Sequence, residues 1–161
     1  MNLHINTITQ AMSGLAVKIQ PAEFEAQGFH ACLLPESGSL MPAVARLLYD
    51  QAYFLVFVTA CHTDPVAQAL YQFARFDENL RLMVRCPVDH DNTIPTISHI
   101  FQGANWHERE TRDFFGITFK DHPNPAPLLL DESDKDLAPL LKDKKKLKPV
   151  EEIFPAQEDA Q

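Results

Sequence analysis

Apolar and polar positions along the chain alternate with one of two periods, and the changes of period mark the elements. In SLMPAVARLLYD at 39–50, Leu40, Val44, Leu47 and Leu48 recur at helical spacing. They predict an amphipathic helix lying on a sheet, with Ser39 at its N-cap and Pro42 tolerated in the first turn. YFLVFVTA at 53–60 is rich in β-branched and aromatic residues and predicts a strand, which CHTDP at 61–65 ends. QALYQFARF at 68–76 sets Ala69, Tyr71 and Phe73 against Gln68, Leu70 and Gln72. LRLMVRCPV at 80–88 sets Leu80, Leu82, Val84 and Cys86 against Arg81, Met83 and Arg85. Period two over both runs predicts half-buried strands, and the short polar link Asp77-Glu78-Asn79 suits a hairpin. The three strands read as an antiparallel meander.

Beyond His90, Thr93 or Thr96 is positioned to cap a short helix running through Ser98 to Gln102, with Gly103 stopping it. Asn105 caps a second helix from Trp106 to Phe115, and Gly116 forms its C-terminal exit. Nearer the start, VKIQ at 17–20 and ACLL at 31–34 read as strands around a short helix in PAEFEA at 21–26.

From Pro123 onward the pattern is lost. Six of the 12 prolines and none of the five glycines lie in these last 39 residues, and KDKKKLKP concentrates lysine. Proline at this density blocks regular helix and sheet, so 123–161 reads as an extended arm that packs on something or stays mobile. A chain of 161 residues accommodates one core-bearing domain, 1–122, plus that arm.

Composition narrows the function. Apolar residues make up 45% and charged residues 22%, as in ordinary globular domains. A net charge of −8 repels nucleic acid. The longest apolar run, AYFLVFVTAC at 52–61, is about half the roughly 20 residues of a spanning helix. MNLHINTITQ lacks the basic start and apolar centre of a signal peptide. The expectation is a cytoplasmic protein that meets a membrane only through a partner. Cys32, Cys61 and Cys86 are an odd, scattered set without CxxC, which reads as buried small hydrophobes in a reducing compartment. Neither a zinc site nor an iron-sulfur cluster is expected from this chain alone.

The chemistry-bearing residues concentrate in NWHERETRDFFGITFKDHP at 105–123. On a helix, Trp106, Arg109, Glu110, Asp113 and Phe114 share an arc of about 140°, while Glu108, Arg112 and Phe115 share much of the other side. Glu108 with Arg112, and Arg109 with Asp113, stand at i,i+4 and are expected to pair. A solvated charged face would need nothing more, but it leaves Trp106, Phe114 and Phe115 without a common core. A helix covered by its sheet on one side and by a partner on the other accommodates them. As an active site, Glu108 and Glu110 diverge by about 200° around the helix. Arg109 is expected to keep Glu110 and Asp113 ionised, unlike a general acid. A metal site lacks the second histidine of HExxH, since position 111 is Thr. The alternative that remains is a small metal-binding or hydrolytic enzyme using His107 and Glu110.

The segment resembles the signature of the respiratory complex I 30 kDa subunit family, the C subunit of NADH dehydrogenase, and of its relatives in membrane-bound nickel-iron hydrogenases. Glu108, Arg109, Glu110, Asp113, Phe115, Gly116, Ile117, Phe119, His122 and Pro123 match the pattern, with Asn105 and Trp106 before it. A looser likeness in the order of elements covers roughly residues 35–130. The resemblance implies an α+β fold with an antiparallel or mixed sheet, helices packed on it and a core at about 35–122. It also implies an accessory, noncatalytic subunit without a cofactor of its own. Its partners would be the hydrogenase-like large subunit and a cluster-bearing small subunit, which hold iron-sulfur clusters and, in the hydrogenase branch, nickel-iron. Such a subunit sits peripherally on the inner face of the cell membrane. After His122-Pro123 the chain departs from the complex I pattern. NPAPLLLDESDKDLAPLLKDKKKLKP replaces the arginine-rich segment and the second His-Pro, as in stand-alone subunits of energy-converting, Ech-type hydrogenases. Both branches stay open.

Overall fold

The computed structural model of the chain describes residues 2–142 together with Pro149 and Ile153. The lysine-rich run at 143–148 and most of the tail after it lie outside the described residues. Helix α1 (Asn2–Ala11) precedes strand β1 (Val17–Pro21), the short helix α2 (Phe24–Gln27), strand β2 (Ala31–Pro35) and helix α3 (Met41–Asp50). Strands β3 (Phe54–Cys61), β4 (Gln68–Arg75) and β5 (Leu80–Pro87) follow, then β6 (Thr93–Pro95), helix α4 (Ala104–Phe115) and β7 (Thr118–Lys120).

The predicted meander forms, with β4 antiparallel to both β3 and β5. The strands read in the first 35 residues join the same sheet. β1 pairs antiparallel with β2, and β2 lies parallel to β5, giving the order β1-β2-β5-β4-β3. The sheet is therefore mixed, because β2 reaches β5 only after the chain has passed through α3, β3 and β4. The fold is α+β. β6 and β7 form a separate parallel pair with Ile94 opposite Phe119.

Alternation places one face of β4 and β5 inside: Tyr71, Phe73, Leu82, Val84 and Cys86 are all fully buried. Helix α3 contributes Met41, Val44, Ala45 and Leu48 to the same cluster, while Leu40 and Leu47 are half-buried at its margin. Phe101 joins the layers, its ring 5.6 Å from Tyr49 on α3 and 5.2 Å from Phe73 on β4. Each such side chain contributes about 1.5–3 kcal/mol by leaving water. The core also extends nearer the N-terminus than residue 35, taking in Ile8, Met12, Ala31 and Leu33.

Several local expectations change. Ser37, not Ser39, acts as cap: its side chain accepts the Ser39 N–H at the start of a 3-10 turn, Gly38–Leu40, that leads into α3. Gly38 has no room for a side chain, because a Cβ there would lie 3.0 Å from the Pro87 carbonyl and 3.2 Å from Ile94. No helix forms at 98–102. Thr93 belongs to β6, and the chain after it makes turns, since the backbone is drawn to β7 by the Thr96 N–H bond to the Lys120 carbonyl. Of the cysteines only Cys86 is buried; Cys32 and Cys61 are half-exposed, one on the short β2 and the other at the end of the edge strand β3.

Tyr71 lies in the centre of the core, and its hydroxyl has no hydrogen-bond partner among the described residues. Desolvation of such a group is unfavourable. Tyr71→Phe is therefore expected to leave stability unchanged or raise it by about 1 kcal/mol, measured by urea denaturation, with the fold unaltered.

Candidate functional site

Helix α4 organises the motif. It starts at Ala104, with Gly103 at the N-cap and no capping side chain, so Asn105 sits in the first turn and does not cap it. It ends as expected on Gly116, whose left-handed φ of 66° lets its N–H reach the Arg112 carbonyl at 2.8 Å. The Gly116 carbonyl in turn accepts from the Asn92 side chain at 2.6 Å.

The core-facing side of α4 carries Ala104, Glu108 and Thr111, and the Thr111 hydroxyl donates to the His107 carbonyl at 2.7 Å. A carboxylate on that side needs its own partners. Glu108, 0% exposed, accepts from the Thr96 hydroxyl and, at 2.9 Å, from the Ile97 N–H. Thr96 in turn accepts the Ser98 N–H at 3.1 Å. Glu108 thus ties the turn between β6 and α4 to the middle of the helix. The His122 ring also comes near, with Nε2 3.7 Å from the Glu108 carboxyl. Burial pushes the Glu108 carboxyl up to about 7, against the two donors that pull it down.

The opposite side of α4 is covered by the chain's own arm. Asp113 Oδ2 accepts three successive backbone N–H groups, from Leu128 and Leu129 at 2.8 Å and from Leu130 at 3.2 Å. One turn earlier, Arg109 Nε donates to the Ala126 carbonyl at 2.8 Å and its terminal nitrogen to the Pro127 carbonyl at 2.7 Å. The pair grips the main chain of residues 126–130, a stretch with no secondary structure of its own. Burial raises the Asp113 pKa, but the three amides, together with Arg112, outweigh it and leave the carboxyl below its ordinary value.

These contacts correct the expected ion pairs. Among the described residues Glu108 does not pair with Arg112, nor Arg109 with Asp113; Glu108, Arg109 and Asp113 serve backbone groups that would otherwise lack partners. Backbone amides, not Arg109, do most to keep Asp113 ionised. Of the other motif residues, Ile117 and Phe119 are buried in the core and Phe115 packs against it. The Asn105 carbonyl accepts from His122 Nε2 at 3.2 Å. Trp106, 66% exposed, and Glu110 point outward, and Pro123 lies exposed at the root of the arm. His107 and Glu110 share an open groove with Phe57, Thr59, Phe114 and Leu140, but among the described residues no three potential metal ligands gather. Sequence reasoning missed Thr96 and Ile97 as the partners of Glu108. The available signal was the helical spacing of Ala104, Glu108, Thr111 and Phe115, which puts a carboxylate in the middle of the inward stripe.

A mixed five-stranded sheet, and a helix whose charged residues hold the chain's own turn and arm, define an α+β domain. The chain belongs to the family described as respiratory-chain NADH dehydrogenase, 30 Kd subunit, which it matches over residues 37–150. It is 31% identical over 135 residues to the C subunit of the NADH-quinone oxidoreductase of Hyphomonas neptunium, covering 76% of this chain and 67% of that one. It is 36% identical over 95 residues to the corresponding NADH-quinone oxidoreductase protein of Xanthobacter autotrophicus, covering 55% and 46%. To the J subunit of the NAD(P)H-quinone oxidoreductase of Prochlorococcus marinus it is 49% identical over 55 residues, covering 34% and 31%. The chain thus spans between about a third and two thirds of the length of these curated relatives. Among solved structures, the fold matches a chain of the archaeal membrane-bound sulfane sulfur reductase with TM-score 0.70 and 16% identity, over 98% of this chain and 95% of that one. It matches the trypsin-resistant fragment of Nqo5 with TM-score 0.56 and 20% identity, over 77% and 99%. No helix among the described residues is long and apolar enough to cross a membrane.

The two carboxylates give opposite pH dependences. Glu108 has a raised folded pKa, so its contribution to stability is complete below the ordinary value of 4.5 and is lost as pH rises through about 7. Gln at 108 retains the acceptor for Ile97 and does not ionise. Glu108→Gln is expected to be more stable than wild type at alkaline pH, by up to about 3 kcal/mol, and the difference should vanish near pH 4 in denaturation series. Asp113 has a depressed folded pKa, so its contribution is present above the ordinary value and is lost as pH falls through the folded one. Asp113→Ala strips three amides of their acceptor and is expected to cost about 2–4 kcal/mol, with loss of hydrogen-exchange protection at 128–130.

Proposed function

We propose that the chain is a noncatalytic assembly subunit of a membrane-associated oxidoreductase complex of the complex I or Ech-type hydrogenase kind. In this reading it docks a hydrogenase-like large subunit beside a cluster-bearing small subunit, which carry the iron-sulfur clusters and any nickel-iron centre. The complex touches the inner face of the membrane, and this chain reaches it through its partners. The curated relatives are subunits of NADH- and NAD(P)H-quinone oxidoreductases, which supports the complex I kind.

One observation carries the proposal. The motif residues Glu108, Arg109 and Asp113 fasten main chain, so the helix works as a brace, while Trp106 and the arm residues Leu129, Leu137 and Leu140 are left facing out. Exposed aromatic and aliphatic side chains on a rigid support are what a stable protein interface uses. A hydrolytic use of His107 and Glu110 has no comparable support, since their groove is walled mainly by apolar residues.

Gentle extraction of the tagged full chain from its native membranes tests this. A hydrogenase-like large subunit is expected to co-purify in stoichiometric amount, and Trp106→Ala is expected to reduce the yield of the complex at least severalfold without unfolding the chain. Recovery of the chain alone under these conditions would count against the proposal.

A further inference from the structure

The root of the arm is built around one histidine. The His122 side chain is 3% exposed and uses both ring nitrogens. Its Nε2 faces the Asn105 carbonyl at 3.2 Å, which only an N–H can satisfy. Its Nδ1 accepts the Asn124 N–H at 3.1 Å, which only an unprotonated nitrogen can do. The arrangement therefore requires the neutral Nε2–H form. Pro123, Pro125 and Pro127 alternate immediately beyond it, so Asn124 has the only N–H at 123–125. Because proline fixes φ, 123–127 is a stiff link between this bend and the Arg109–Asp113 grip at 126–130.

We propose that His122 is a proton-operated hinge at the root of the arm, closed on Asn124 when its ring is neutral and opened when Nδ1 takes up a proton. Protonation places a hydrogen on Nδ1, so the Asn124 N–H loses its acceptor and the bend opens. The cation so formed is nearly excluded from water, and the Glu108 carboxyl 3.7 Å from Nε2, which takes up its own proton at about 7, is mostly neutral in mild acid, so leaving the closed bend is what relieves the buried charge. The other charged and titratable groups are placed as follows. Arg109 on α4 and His99 in the preceding turn disfavour a cation at His122, and His99 Nε2 donates to the Asp121 carbonyl at 2.9 Å. Tyr71 on β4 faces Glu108 from the sheet, and Asp121 precedes the histidine on the exposed side. Burial first, then Arg109 and His99, holds the ring below its ordinary value of 6.5, against the two backbone hydrogen bonds that raise it. The hinge thus stays closed at neutral pH and opens in mild acid. The hinge is independent of docking, because every group in it belongs to this chain.

Amide hydrogen exchange of the ¹⁵N-labelled full chain, corrected for intrinsic rates, tests it at about pH 7.5 and about pH 5. The Asn124 amide is expected to lose protection at least tenfold at the lower pH, while amides of β4 and β5 stay protected. His122→Asn supplies a side-chain oxygen that accepts from the residue two places on and does not titrate, so protection there is expected to be independent of pH. Equal protection at both pH values in the wild type, or pH-dependent opening that survives in His122→Asn, overturns the hinge. Should the substituted chain fail to fold, the ring ¹⁵N shifts of wild-type His122 decide: a proton on Nδ1 at about pH 7.5 refutes the proposal.

Discussion

Backbone groups that leave regular structure must still find partners, and in this molecule helix α4 supplies them. The turn after β6 and the arm after His122 have little secondary structure, so their N–H and C=O groups would lack partners when packed against protein. Glu108 serves the turn, and Arg109 and Asp113 serve the arm. Residues consecutive or one turn apart on a single helix thereby reach opposite sides of the domain, because 100° per residue separates 108 from 109 and 113. α4 thus lies between the core and the arm, buried along two stripes.

That position explains why two carboxylates five residues apart behave so differently. Both are shielded from water, but Asp113 faces three amides aligned like a small anion nest, and Glu108 faces one hydroxyl and one amide inside an apolar core. Donor number against desolvation decides the sign of each shift. The helix therefore carries one carboxylate that stays charged and one held near the boundary of ionisation, with His122 close beside it.

The sheet was largely legible in the sequence because its strands obey period two: Tyr71, Phe73, Leu82 and Val84 fall inward where alternation puts them. The short elements around α2 were legible too, although their place beside β5 was not, since a parallel pairing across some fifty residues leaves no local mark. Helix α1 is hard to read because its residues 2–11 show weak periodicity; among the described side chains there, Ile8 and then Met12 enter the core. At α4 the extent was legible from Gly103 and Gly116, but the partners were not. Spacing at i,i+4 shows which side chains stand side by side; it does not show that a distant backbone lies closer to each of them, as Leu128 does to Asp113. The turn at 96–98 reads as the start of a helix because Thr96 resembles a cap, but it accepts from Ser98 in a tight local turn and donates to a carboxylate instead.

The grip on residues 126–130 has one further consequence. Arg109 and Asp113 recognise carbonyls and amides, which every sequence possesses, and they touch no identifying feature of the five residues held. The seat is therefore indifferent to the text written across it, apart from a need for N–H groups at 128, 129 and 130 that bars proline there. Here the seat holds Ala-Pro-Leu-Leu-Leu by its main chain alone, which leaves the Leu129 side chain facing outward. Attachment and specificity are separated in this design, so a lineage can exchange what the arm says to its surroundings without rebuilding how the arm is held.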